Sequence, residues 1–441
     1  MDLLKGDLKK LYFRFLFSSL GSALVSSIYG LVDMAMVGQY QGPSGAAAMA
    51  VIGPIWNILY SVGLLAGIGG SVLYGIALSR SGKAEARSYF TASVVLGAGI
   101  SLILWVLLWT LEVPVLRLFG ADDALLPLCR TYLTAPKLTV PFYVFSGILA
   151  AFLRNDSDPG LAAKAVLAGG VFNVFGDYFL VFVLDMGIRG AGIATALGAG
   201  FSDLVMLTHF FGKKNTLSLA PCPGILRKFG GICVNGFSSF TVDLAMGILT
   251  TLFNRQVMAY LGSDALAVYG VIVSVSTFVQ CCAYGIGQAA QPILSQNYGA
   301  GLHDRVRRVL WYSVLTSGAM GLLFTGLTMA IPQTLVKVFM SPTPEVLAIA
   351  PDILRVYALS FLLLPFNVFS TYYFQATLQP GVSAGVSVAR GVVLSGALLL
   401  LLPYLGGALL WWSMPITEAA VTLFAGVWIR RQARSLKNRT Q

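Results

Sequence analysis

Charge is scarce in this chain. Only 11% of its 441 residues are Asp, Glu, Lys or Arg, where a soluble domain carries about 25%. That excludes a solvated globular domain of this length, and no polar segment is long enough to house one separately. Histidine is almost missing, with His209 and His303 alone, too few for a metal site of the usual kind. Five cysteines, Cys129, Cys222, Cys233, Cys281 and Cys282, show no Cys-x-x-Cys spacing. They read as small buried apolar residues rather than metal or redox centres. A Gly-x-x-x-x-Gly-Lys-Ser/Thr loop is also missing, which leaves an ATP-driven pump unsupported. Gly381-Val-Ser383-Ala-Gly385 fits Gly-x-Ser-x-Gly in letters only, because it opens a long apolar segment and follows no strand. Neither enzymatic activity nor a cofactor is expected.

What is plentiful is apolar length. Hydrophobic residues make up 57% of the chain and mean hydropathy is +0.79. Apolar runs long enough to cross a bilayer recur from end to end, which predicts an all-α polytopic membrane protein. Breakers such as Gly42-Pro43, Ser81-Gly82, Asp158-Pro159-Gly160, Pro221-Cys222-Pro223-Gly224, Gly299-Ala300-Gly301 and Pro380-Gly381 separate the runs. About twelve transmembrane helices result, near 11–39, 45–75, 88–111, 124–152, 160–184, 188–211, 229–260, 263–291, 306–331, 345–377, 381–402 and 405–430.

The chain also repeats itself. Pro141-Phe-Tyr-Val-Phe-Ser146 returns as Pro365-Phe-Asn-Val-Phe-Ser370, Gly67-Ile-Gly69 as Gly285-Ile-Gly287, and Leu116-Arg-Leu-Phe119 as Val336-Lys-Val-Phe339. The echoes keep their order at a spacing of roughly 220 residues. They predict two six-helix pseudo-symmetric lobes, residues 1–211 and 229–441, joined by a cytoplasmic linker over 212–228. Transporters built from such repeats carry their substrate path between the halves.

The formal net charge of +11 is placed as topology rather than as a nucleic-acid footprint. Basic residues cluster at the N-terminus (Lys5, Lys9, Lys10, Arg14), in alternate loops (Arg80, Lys83, Arg87; Lys213, Lys214, Arg227, Lys228; Arg305, Arg307, Arg308) and at the C-terminus (Arg430, Arg431, Arg434, Lys437, Arg439). The short loops at 39–44, 185–187, 260–263 and 403–406 hold no Lys or Arg. Both termini are therefore expected in the cytoplasm, with Met1–Phe15 leading into an uncleaved first span.

Against this background a few polar residues stand out. Asp33 sits near the far end of an otherwise uncharged run, Leu16 to Tyr40, and Asp177 lies in another with Asn173 four residues before it. Residues four apart share a helix face, so Asn173 and Asp177 can meet Asp33 and Thr195 in one pocket. An ionisable group inside a membrane is costly enough to imply a use. Two carboxylates, an amide oxygen and a hydroxyl make an all-oxygen site that can hold Na+, or one proton shared between the acids. Asp243 in the seventh span offers an anionic wall for a cationic substrate, unless it pairs with Arg390. Arg255, three turns along the same helix, is too far to reach it. Met34, Met36, Trp56, Tyr60, Met246, Tyr284, Tyr372 and Tyr373 are candidates to line a pocket for flat, lipophilic cations. Asp203 has no evident partner, and Lys164 and Glu418 read as snorkelling side chains in the outer turns of their helices.

Ser26-Ser-Ile-Tyr-Gly-Leu-Val-Asp33-Met-Ala-Met-Val-Gly38 resembles the first helix of the multidrug and toxic compound extrusion (MATE) family. Similar likenesses are Phe152-Leu-Arg-Asn-Asp-Ser-Asp-Pro159, Asn173-x-x-x-Asp177, Gly187-Ile-Arg-Gly-Ala-Gly-Ile-Ala-Thr195, Gly287-Gln288-Ala-Ala-Gln-Pro-Ile-Leu-Ser-Gln-Asn-Tyr-Gly299 and Phe374-Gln375-Ala376. Together they span nearly the whole chain and are nearest the bacterial DinF/MepA-like branch. The resemblance implies two six-helix lobes and export of organic cations in exchange for H+ or Na+. It also implies a first-lobe cation site on Asp33, Asn173, Asp177 and Thr195, and a seventh-helix acid at Asp243. Gln288 and Gln375 join Asp243, Met34, Tyr60 and Tyr284 as substrate-cavity candidates. Prolines usual in the first and seventh helices are replaced near Ser18 and Ser238, and Met34 stands where Thr is common.

The expectation is thus a secondary active multidrug efflux transporter working by alternating access. It is placed as a monomer in the bacterial inner membrane, with small organic cations and the bilayer as its partners. A lipid or glycolipid flippase of the same superfamily is the alternative, and it requires cationic side chains around the cavity.

Overall fold

The computed structural model describes residues 2–340 and 342–438. Arg439 lies outside the described residues. So do the side chains of Ser26, Ser27, Tyr29, Leu31, Pro43, Arg434 and Lys437. The chain opens with an N-cap: the Asp7 carboxylate accepts the Lys10 backbone N–H at 2.9 Å, and that bond holds its pKa below the ordinary value. From there α1 runs over Leu8–Arg80, with a break at Gly42 (φ 69°, ψ −157°). That region of backbone space is open essentially to glycine alone, so α1 breaks there into two helical arms.

The first half continues as α2 (Lys83–Thr110), α3 (Glu112–Leu118), α4 (Leu126–Leu133), α5 (Val140–Asn155), α6 (Pro159–Asp177) and α7 (Gly187–Leu207). The second half holds α8 (Ile225–Tyr260), α9 (Ser263–Gly299), α10 (His303–Ala330), α11 (Pro332–Phe339), α12 (Pro344–Ala376), α13 (Pro380–Val388), α14 (Leu394–Leu405) and α15 (Ser413–Asn438). Eleven helical segments among the described residues are long and apolar enough to cross a membrane. The first arm of α1 is a further long helix beside them. The all-α polytopic architecture read from the sequence is what the structure shows. The halves echo each other in detail: a long helix is followed by a short one at α2–α3 and again at α10–α11. A π-helical stretch interrupts each fifth span, at Tyr178–Val183 and at Ala389–Val393.

One predicted span is subdivided. The segment expected at 124–152 is α4, a 3-10 turn at Pro136–Thr139, and α5. Pro136 and Pro141 each open a helical turn, where a missing N–H costs nothing.

The halves meet along α1 and α9, the most extensive helix pair in the molecule. Small residues make this close approach possible. A Cβ on Gly236 of α8 would fall 2.1 Å from the Leu65 carbonyl oxygen, and one on Gly299 would fall 2.7 Å from that of Ile76. The start of the chain also crosses to the other half, where Leu8, Leu11, Tyr12 and Phe15 share a core with Ile286, Ile293, Phe369 and Phe374. The connection between halves lies along α2: Thr91 Oγ1 accepts from Ala220 N at 2.9 Å, and Lys228 pairs with Glu85 at 2.7 Å.

Candidate functional site

Glycines bring α4, α6 and α7 together around the end of the first arm. A Cβ on Gly192 would lie 2.1 Å from the Tyr132 carbonyl oxygen, and one on Gly198 would lie 2.9 Å from the Asn173 Cβ. The backbones therefore touch, and the polar side chains between them converge. Tyr132 Oη donates to Asp33 Oδ2 at 3.1 Å and sits 3.2 Å from Thr195 Oγ1. Thr195 Oγ1 is 3.3 Å from the same Asp33 oxygen and accepts from Asn173 Nδ2 at 3.4 Å. Asp177 closes the last turn of α6, where the π-helical stretch begins, and its charge interacts with that of Asp33. Such π-bulges are frequent at functional positions because they re-aim one side chain.

All four residues expected at this site are thus brought together. Asp33, Asn173 and Asp177 are buried, Asp177 completely. Among the described residues, Asp33 Oδ1, Asn173 Oδ1 and both Asp177 carboxylate oxygens meet no donor. Buried acceptors without donors are rare in folded proteins, and four of them on three neighbouring residues fit a cation. Na+ would take them as ligands, and a proton would join two of them. Tyr132 is the residue that the sequence did not single out. It lies in a short mixed segment, and only its approach across Gly192 reveals it. Trp56 packs edge-on against its ring at 6.3 Å.

A second group lies where the halves face each other. Asp243 Oδ1 accepts from Tyr284 Oη at 2.5 Å, so the acid pairs with a tyrosine rather than with Arg390. Arg390 is instead bound to Glu418 at 2.7 Å and to Gln280 at 3.2 Å. Tyr372 lies within electrostatic reach of Asp243, Tyr60 and Arg154, with Gln288 beside it. Tyr60 and Met34 are exposed, at 45% and 41%. Gln375 is not placed on an open wall. It is fully buried, and its amide donates to the Asn235 carbonyl, Ser238 and Ser239 at 2.8 to 2.9 Å. It ties α12 to α8.

Two other readings are corrected. Glu418 does not snorkel: it is fully buried, held by Arg390 and by Asn367 Nδ2 at 2.6 Å. Asp203 does have a partner, the Ser146 hydroxyl, which donates to its Oδ1. Lys164 is exposed, and all five cysteines are free thiols.

The chain is similar to known proteins over most of its length. The family model MatE matches the chain twice, over residues 19–179 and 239–399. The multidrug export protein MepA of Staphylococcus saprophyticus is 26% identical over 412 residues, covering 91% of this chain and 89% of its own. The MepA of Staphylococcus haemolyticus is 24% identical over 428 residues, covering 95% and 91%. Among solved structures, an outward-facing multidrug resistance MATE family transporter of the MOP superfamily superposes with a TM-score of 0.91 at 20% identity, over 99% of this chain and 98% of that one. A MATE in a bent conformation gives 0.90 at 20% identity over the same shares. These likenesses establish the fold.

Proposed function

The chain belongs to the MatE family, and from that premise we propose that it is a secondary active multidrug exporter. It exchanges small organic cations for H+ or Na+ by alternating access. The observation that carries this reading is the buried group of Asp33, Tyr132, Asn173, Asp177 and Thr195, in which four acceptor oxygens meet no donor among the described residues. A cation entering there neutralises the two acids and favours one facing of the lobes; substrate favours the other. Each ligand acts only through its differential affinity for the two states. Asp243, with Tyr284 and Tyr60 nearby, supplies the negative charge and aromatic faces that a lipophilic cation needs.

The multidrug export named for the Staphylococcus relatives supports drug-like cations as the substrate class. The basic clusters support a bacterial cell membrane location with both termini in the cytoplasm. One chain carries both halves, so a monomer suffices for rocking about the α1–α9 seam. The flippase alternative called for a ring of cations around the cavity. Lys137, Arg154 and Arg390, the deeply placed cations of the spanning segments, lie instead in three separate places, and two of them are bound to Glu112 and Glu418.

The test is accumulation of a fluorescent monocation in everted membrane vesicles, with proton and Na+ gradients imposed separately. The proposal expects uptake to follow one of the two gradients. Equal uptake with both gradients abolished would discard antiport.

A further inference from the structure

A cleft of about 400 Å3 opens between the start of α3, α4 and the 3-10 turn at Pro136–Thr139. It is built on an unequal ion group. Glu112, 7% exposed, accepts from Lys137 Nζ at 2.8 Å, and Lys137 is buried to the same degree. Arg130 reaches the same carboxylate through Nε, at 3.4 Å, while 57% of its side chain stays exposed. One buried carboxylate therefore serves two cations, and one positive charge in the cleft is uncompensated. The neighbouring acids are engaged elsewhere. Asp123, at the edge of the cleft, pairs with Arg117 at 2.5 Å, and Asp122 accepts from the backbone N–H groups of Ala124 and Leu125.

One short helix serves both this cleft and the cation group. Pro127, Arg130, Thr131 and Thr134 line the cleft at the three- and four-residue spacing of a single helix face. Cys129, Tyr132 and Leu133 are fully buried on the other side of α4, and Tyr132 bonds Asp33 there. The Thr131 and Thr134 hydroxyls donate to the backbone carbonyls of Pro127 and Arg130. That leaves the terminal nitrogens of the Arg130 guanidinium as donors for a ligand.

The surroundings are those of a membrane–water boundary. Glu112 lies two residues beyond the apolar span that ends at Thr110. Trp109 covers Lys137, with Nζ 4.7 Å from the ring centroid, and tryptophan is enriched at this level of a bilayer. Leu102, Val106 and Trp109, each about half exposed, follow one face of α2 and offer an acyl chain a path.

A phosphodiester carries a single negative charge and accepts paired hydrogen bonds from arginine. Basic pockets at the membrane surface hold lipid head groups by this chemistry. We propose that the cleft binds the phosphate of a phospholipid head group, with Arg130 as its direct ligand and an acyl chain laid along α2. Lys137 stays with Glu112 and supplies positive charge beneath the phosphate. The site makes no demand on the substrate or on the coupling ion.

The test follows thermal unfolding of the purified full chain in detergent at constant ionic strength. Dihexanoylphosphatidylglycerol, a diacylglycerol of the same chain length and inorganic phosphate are titrated separately. The midpoint should rise saturably with the phospholipid and not with the diacylglycerol. Arg130→Gln leaves the Lys137–Glu112 pair in place and should lose the rise. Thr134→Glu, another exposed change, sets a carboxylate one helical turn from Arg130; it should fold and also lose the rise, which keeps the test open should Arg130→Gln misfold. A rise that persists in either folded variant overturns the site, as does an equal rise with the diacylglycerol or no response in the wild type. An equal rise with inorganic phosphate at the same concentration overturns the lipid as the source of the phosphate.

Discussion

Replacing Asp33 by Asn removes one negative charge and little else. The amide keeps an oxygen to accept from Tyr132 and Thr195, which now lie 3.1 and 3.3 Å from Asp33 Oδ2, and its volume is nearly that of the acid. The unfolding midpoint should therefore move little. The effect on a bound cation is large. Two unit charges about 4 Å apart interact by about 4 kcal/mol at an effective dielectric constant of 20, which corresponds to roughly a thousandfold in affinity. Asp177 remains and recovers part of this, so a loss of about a hundredfold or more is expected. The assay is counter-transport in proteoliposomes at saturating substrate, with circular dichroism melts as a folding control. Exchange should fall to background while the melt is preserved. Wild-type exchange by Asp33→Asn would refute the reasoning, because Asp177 alone recovers only part of the missing charge.

Asp243→Asn should raise the half-saturation concentration for a monocationic dye by about tenfold, about 1.4 kcal/mol, and leave a neutral substrate unchanged; dye-efflux titrations read both. Gly236→Ala places a methyl group 2.1 Å from the Leu65 carbonyl oxygen, and the overpacking should cost about 1–3 kcal/mol, seen as a lowered unfolding midpoint. Arg390→Met should destabilise by about 3–5 kcal/mol, since it strands the fully buried Glu418. The double variant Arg390→Met/Glu418→Gln should recover most of that loss in the same melt, because the glutamine still meets Asn367.

Much of this was open to reading along the chain. Apolar run lengths, the glycine at position 42 and the echoes between halves are local properties, and they carry the fold because membrane helices follow hydrophobic length closely. The pairing of Asn173 with Asp177 is equally local, one helical turn apart. What stayed hidden depends on depth and facing. Glu418 lies in the second turn of its helix, where a snorkelling acid is ordinary, and only the approach of α13 and its π-helical continuation brings Arg390 over it. Gln375 carries a cavity-like polar head, yet the two serines at 238 and 239 absorb it into the α8–α12 contact. Tyr132 matters through a helix that touches it across Gly192, and no spacing along the chain announces such a meeting.

The central claim is that a cation sits among Asp33, Asn173, Asp177 and Thr195. Trp56, packed on Tyr132, is a built-in reporter of that pocket. Tryptophan emission of the purified protein is titrated with Na+ at fixed pH and with acid at fixed Na+, and Trp56→Phe isolates the signal. The account predicts a saturable change for one of the two ions that vanishes in Asp33→Asn and Asp177→Asn. The same saturable change persisting in both variants would contradict it.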